Sequence, residues 1–157
     1  MSTRPPLRYQ VNVARRGPIE AAVECAPRMT ITGGPPPEFG GDATSWSPEH
    51  LLVAAAALCF WSTLEWFAKR RAVPIAGLEC RAEGEVARTA EGFAFSGIRL
   101  AVVGSTTAGQ EGALRELMDV AKKSCLIARS LACPVELAAT VTADGRPGAG
   151  ANHAALP

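Results

Sequence analysis

The most apolar stretch of the chain is residues 51–61, LLVAAAALCFW, which has no polar break. Ser47 precedes it as an N-cap, with Pro48 at the first helical position and Glu49 in the first turn, residue types favoured there. These signals predict a helix from Pro48 to about Arg71, stopped before Pro74. Being apolar all round its middle, it reads as a central helix buried on every side. Three short strands are expected ahead of it, over residues 7–14, 19–26 and 28–34, with a Pro/Gly loop over 33–46.

Beyond the helix, polarity alternates strictly over residues 77–88. Leu78, Cys80, Ala82, Gly84 and Val86 share one face, and Glu79, Arg81, Glu83 and Glu85 the other. Residues 92–104 supply a hairpin partner in which Phe93 and Phe95 run out of phase with Ile98, Leu100 and Val102. A bulge at Ser96-Gly97 would reset the register. Leu114, Leu117, Met118, Ala121, Cys125 and Ala128 then mark one stripe of a second helix over 110–131. Residues 133–143 read as a closing strand and 144–157 as a disordered tail. The order βββ-α-ββ-α-β predicts an α+β fold, antiparallel sheet with two long helices, in a single domain over residues 1–143.

Composition narrows the function. The 157 residues are 48% apolar and 20% charged with a formal net charge of +1, enough chain for a sizeable core. Charges of both signs are interspersed, which argues against nucleic-acid and membrane partners. The 51–61 run is shorter than the roughly 20 residues a bilayer span needs, and the opening MSTRPPLRYQ lacks the apolar core of a signal peptide. A cytoplasmic location is expected. Five cysteines, at 25, 59, 80, 125 and 133, form no C-x-x-C pair and suit a reducing compartment rather than a disulfide framework.

Cys80 falls on the apolar face of its strand and reads as a core residue, while Cys25 and Cys133 lie beside prolines or element edges. Cys59 and Cys125 differ, because each sits on the apolar part of a long helix. Packing the two helices together would bring the thiols within disulfide reach, with Cα atoms under about 7 Å apart. Buried thiols with a purely structural role remain the alternative.

SPEHLLVAAAALCF, residues 47–60, resembles the active-site helix of the OsmC/Ohr family, and FGGDATSWSP resembles the Gly-rich entry to that helix. AKKSCLIARSL is similar to the family's second-cysteine segment, so the resemblance covers roughly residues 7–142. It implies an OsmC-like, divergent-branch protein: a thiol-dependent peroxidase of the oxidative stress response, acting on organic hydroperoxides and hydrogen peroxide. By that resemblance Cys59 is the peroxidatic thiol and Cys125 the resolving one. Glu49 organises the thiolate and its arginine, with Arg15 the best fit to an R-x-G turn and Arg16 and Arg28 the alternatives. Phe60, Trp61 and Met118 would wall a substrate pocket; ordinary core packing is the plainer role for each. No metal or other cofactor is expected. The reductant is a dithiol, of lipoyl type by the resemblance.

Glu49 and Cys59 are about 15 Å apart along one helix and cannot touch within it. Two copies crossing antiparallel would bring them together, which predicts an intertwined homodimer, as in the family. Where many family members continue the second cysteine with proline, this chain has Leu126-Ile127-Ala128, which leaves Cys125 inside a regular helix. Two other readings compete with the peroxidase: a dimeric module binding an apolar acyl-type ligand, and a metal site of Cys59, Cys125 and His50. Cysteine-hydrolase chemistry is disfavoured, since neither histidine is placed as a partner base.

Overall fold

A computed structural model describes residues 5–143, which form two compact units parting between Leu51 and Leu52. The expected tail over 144–157 lies outside the described residues.

In the N-terminal unit, β1 (Asn12–Arg15), β2 (Ala21–Glu24) and β3 (Ile31–Gly33) form an antiparallel sheet in that order. All three strands are shorter than the alternation suggests: β1 begins five residues later than expected, and Pro18 and Pro27 stand between the strands that they separate. The β1–β2 turn closes when the N–H groups of Arg16 and Gly17 both donate to the Glu20 carbonyl, at 2.9 and 3.0 Å. The Pro/Gly loop is tied back as well: Gly34 N–H donates to Trp46 O at 3.0 Å and Trp46 N–H to Thr32 O at 3.1 Å. Gly34 is required there, since a Cβ would stand 2.3 Å from the Ile19 carbonyl oxygen.

The long helix α1 spans Pro48–Arg71. At its start the Ser47 hydroxyl accepts the His50 N–H at 3.2 Å, satisfying an amide that the first turn leaves unpaired. At its end Ala72 adopts a left-handed φ of 52°, and Val73 N–H reaches back to the Ala68 carbonyl at 3.0 Å. The expectation of burial on every side needs correction. Only Ala56, Phe60, Leu64 and Ala68 are buried, a single i, i+4 stripe, whereas Leu58 is 64% and Trp61 43% exposed. One sheet can cover only one face of a helix, so the remaining apolar faces stay open in a single chain. The 24-residue α1 contains an 18-residue window of mean hydropathy 1.6, long and apolar enough to cross a membrane, yet its buried stripe packs into a protein core.

The C-terminal unit is built on β4 (Gly77–Thr89), β5 (Gly92–Ser105) and β6 (Val135–Thr142), in that order. β4 and β5 pair antiparallel, but β6 joins β5 in parallel, so this sheet is mixed rather than purely antiparallel. The crossover that parallel pairing demands runs through α2 (Glu111–Ser124) and α3 (Leu126–Ser130). The expected bulge is present: Glu85 faces Gly97 and Val86 faces Phe95, which leaves Ser96 as the extra residue. This lets Phe95 and Ile98 both turn toward the core.

That core joins the α1 stripe, Ile98, Leu100 and Val102 of β5, and Leu114, Leu117, Met118 and Ala121 of α2. The helix–sheet spacing is tight at Gly84, where a Cβ would come within 2.6 Å of both a Phe95 ring carbon and a Val53 methyl. Gly84→Ala is therefore expected to destabilise the fold by about 1–3 kcal/mol through overpacking, more than the chain entropy it saves. Urea denaturation would register this as a lower midpoint at an unchanged slope. A raised midpoint would mean the helix can shift away at little cost.

Candidate functional site

Cys59 lies in the fourth turn of α1, next to the buried Phe60, and is itself half-buried. Its sulfur faces the junction between α2 and α3. There the second helix expected over 110–131 is broken: Cys125 takes φ −62° and ψ 115°, extended values that end α2 and begin α3. Cys125 is thus at a junction, not inside a regular helix as the absence of proline suggested. After the restart, Ile127, Ala128 and Leu131 pack against the core.

The two thiols share a hydrogen bond. Cys125 is 1% exposed, and Ile127 N–H donates to Cys59 Sγ at 3.5 Å. The environments split their acidities. Burial pushes the Cys59 thiol up, but donors outweigh it: the Ile127 N–H, the Cys125 thiol, the Thr63 hydroxyl and the Leu126 N–H leave it below the ordinary thiol value. At Cys125 burial again pushes up, and the hydrogen bond and charge of Cys59 add to it; the N–H groups of Ala128 and Ile127 pull the other way without reversing it, so the protonated thiol is favoured. Cys80, on the core face of β4, is raised by burial alone.

The other predicted residues are placed as follows. Phe60 and Met118 have no solvent exposure and lie inside the core, which is the packing role; Trp61 is on the uncovered side of α1. Glu49 and Arg15 belong to the N-terminal unit. One carboxylate oxygen of Glu49, Oε2, is shielded from solvent without a hydrogen-bond partner among the described residues. Of the three arginines weighed for the thiolate, Arg16 is paired with Glu24 at 3.0 Å, and Arg28 donates to Cys25 Sγ at 3.3 Å. Arg15 has no such partner among the described residues and lines a shallow cleft with Val13, Ile19 and Pro35. His50 is committed to the cap of α1, with Nδ1 2.8 Å from Ser47 Oγ. Sequence reasoning missed the main-chain donors at Leu126 and Ile127.

Fold and site together describe an α+β protein with a paired-thiol site. The OsmC-like protein family model matches residues 40–140. The chain belongs to the OsmC-like family. Solved structures agree on the fold. An OsmC-like protein of unknown function from Vibrio cholerae superposes with a TM-score of 0.76 at 17% identity, covering 86% of this chain and all of that one. An organic hydroperoxide resistance protein OsmC from Legionella pneumophila gives 0.68 at 22% identity, over 87% and 99% of the two chains. An organic hydroperoxide resistance protein from Elizabethkingia anophelis gives 0.68 at 18%, over 88% and 99%. No curated protein matches the sequence.

Proposed function

We propose that the protein is a cytoplasmic thiol-dependent peroxidase that reduces organic hydroperoxides, with Cys59 as the attacking thiol and Cys125 as the resolving one. The observation that carries this reading is the unequal thiol pair: Cys59 Sγ accepts the Ile127 N–H at 3.5 Å, beside a Cys125 that is almost wholly buried, which favours the thiolate at Cys59 and the protonated thiol at Cys125. The Cys59 thiolate attacks the outer peroxide oxygen and the O–O bond breaks. The alcohol leaves with a proton, and Cys59 carries the oxygen as a sulfenic acid. Cys125 then attacks the Cys59 sulfur, expelling water and forming a disulfide. A dithiol reductant, of lipoyl type by family likeness, reopens the disulfide and is itself oxidised. Two neighbours are named for organic hydroperoxide resistance, which supports the substrate class. The free state of all five cysteines is consistent with a reducing cytoplasm.

The working form in this reading is a homodimer. Its support is the uncovered side of α1, where Leu58, Trp61 and Trp66 are all exposed. A second copy laid against that side would cover them, with Trp61 left to meet the organic tail of the peroxide. Glu49 and Arg15 act as a pair in the same scheme. The shielded carboxylate oxygen of Glu49 needs a donor, and the Arg15 guanidinium has no partner among the described residues.

The test is intact-mass analysis of the reduced protein after one equivalent of cumene hydroperoxide. The expected product has lost the mass of two hydrogens, and peptide mapping places the bridge between Cys59 and Cys125. An unmodified protein that still binds apolar acyl chains would replace the peroxidase with a binding module.

A further inference from the structure

The break at Cys125 does more than set the second thiol. In an unbroken helix the Ile127 N–H would donate to the carbonyl four residues before it, at Lys123. Restarting the helix at Leu126 removes that partner and leaves the amide without a helical acceptor. The acceptor it finds is Cys59 Sγ, 3.5 Å away and 68 residues distant in sequence. No side-chain cap serves the start of α3 in its place.

We propose that the Ile127 backbone N–H is the positioning group that aims the Cys59 sulfur and holds its negative charge. This rests on Cys59 being the attacking thiol. The bond favours the reactive form because a thiolate is a strong acceptor, whereas a neutral thiol is a weak one. It therefore draws the sulfur toward ionisation, in the direction opposite to burial. A main-chain donor has two further properties. It does not titrate, so it works across the whole physiological pH range. It also survives side-chain replacement at 127, which frees that side chain to serve the core.

The oxidised protein loses this grip. In a Cys59–Cys125 disulfide both sulfurs are neutral and poor acceptors, so the N–H loses its charged partner. The amide thereby stabilises the reduced thiolate more than the disulfide.

Two changes delete the N–H. Ile127→Pro does so within the first turn of α3, where a proline ring is tolerated. An ester in place of the 126–127 amide, introduced with the α-hydroxy acid analogue of isoleucine, does so without a ring. Ile127→Val keeps the donor and trims the side chain. The readout is the pH profile of Cys59 alkylation by iodoacetamide, resolved by peptide mass spectrometry, with peroxide consumption measured in parallel. Removal of the N–H is expected to raise the Cys59 midpoint by about one pH unit, and to slow alkylation below the wild-type midpoint about tenfold. Ile127→Val keeps the wild-type profile. An unmoved midpoint in the ester protein, with native circular dichroism, overturns the proposal, and that protein decides if Ile127→Pro fails to fold. A wild-type Cys59 that ionises early but leaves peroxide intact refutes the peroxidase reading instead, without touching this one.

Discussion

Cys59→Ser ends peroxide reduction. A serine hydroxyl in the same place stays protonated at any working pH and cannot take up oxygen to form a sulfenic acid. Loss of the nucleophile is expected to lower the rate constant for cumene hydroperoxide by at least about a thousandfold, the scale seen when an enzyme loses its attacking group. The two thiols on the core are poor substitutes. Cys80 and Cys125 are both pushed toward the protonated form by burial, and Cys125 further by its neighbour. Stability should barely change, since Cys59 is half-buried and serine differs by one atom. Loss of peroxide followed with excess dithiol checks the rate, and a urea melt checks the fold. The wild-type rate is expected to climb with pH as the Cys59 thiolate forms, and to level off below the range of an ordinary thiol, because its pKa is lowered. A Cys59→Ser protein that keeps more than a tenth of the rate would move the chemistry to another cysteine.

The second large effect is at Cys125. Cys125→Ser still supplies a hydroxyl donor facing Cys59, so the first attack proceeds, but no thiol is left to close the disulfide. One peroxide is consumed per chain, and Cys59 stays as a sulfenic acid that dimedone captures. A second equivalent drives it to the irreversible sulfinic acid. Steady turnover at about 1 mM dithiol is expected to fall more than about a hundredfold, well within the advantage an adjacent intramolecular thiol has over one in solution. Full turnover in this variant would mean that the reductant attacks the sulfenic acid directly and that Cys125 has no resolving role.

The parts of the fold that the sequence made legible are those where one physical signal dominates. Strict alternation placed β4 with Cys80 on its inner face, and the phase slip between Phe95 and Ile98 located the bulge at Ser96. Ser47, Pro48 and Pro74 bracketed α1 closely. Three things were hidden. The stripe from Leu114 to Ala128 keeps helical spacing straight through Cys125, so periodicity could not register the break there. Strand direction leaves no mark in the polarity of 135–142, so the parallel pairing of β6 was invisible. The one-sided burial of α1 was hidden because an apolar residue reads the same whether its own chain covers it or not. At the site, the helix bearing Cys59 and the chain segment bearing Cys125 were visible, but donors on the main chain carry no sequence signature.

The parallel β5–β6 pair has a consequence for the chain during synthesis. β5 is the central strand of its sheet, and β6 fills its second edge only after residues 135–142 have been made. Until then a nascent chain holding β4 and β5 offers an open row of amides and carbonyls beside Ile98, Leu100 and Val102. That edge is the place where unfinished chains on neighbouring ribosomes would stick to one another, and where a chaperone would have to stand guard.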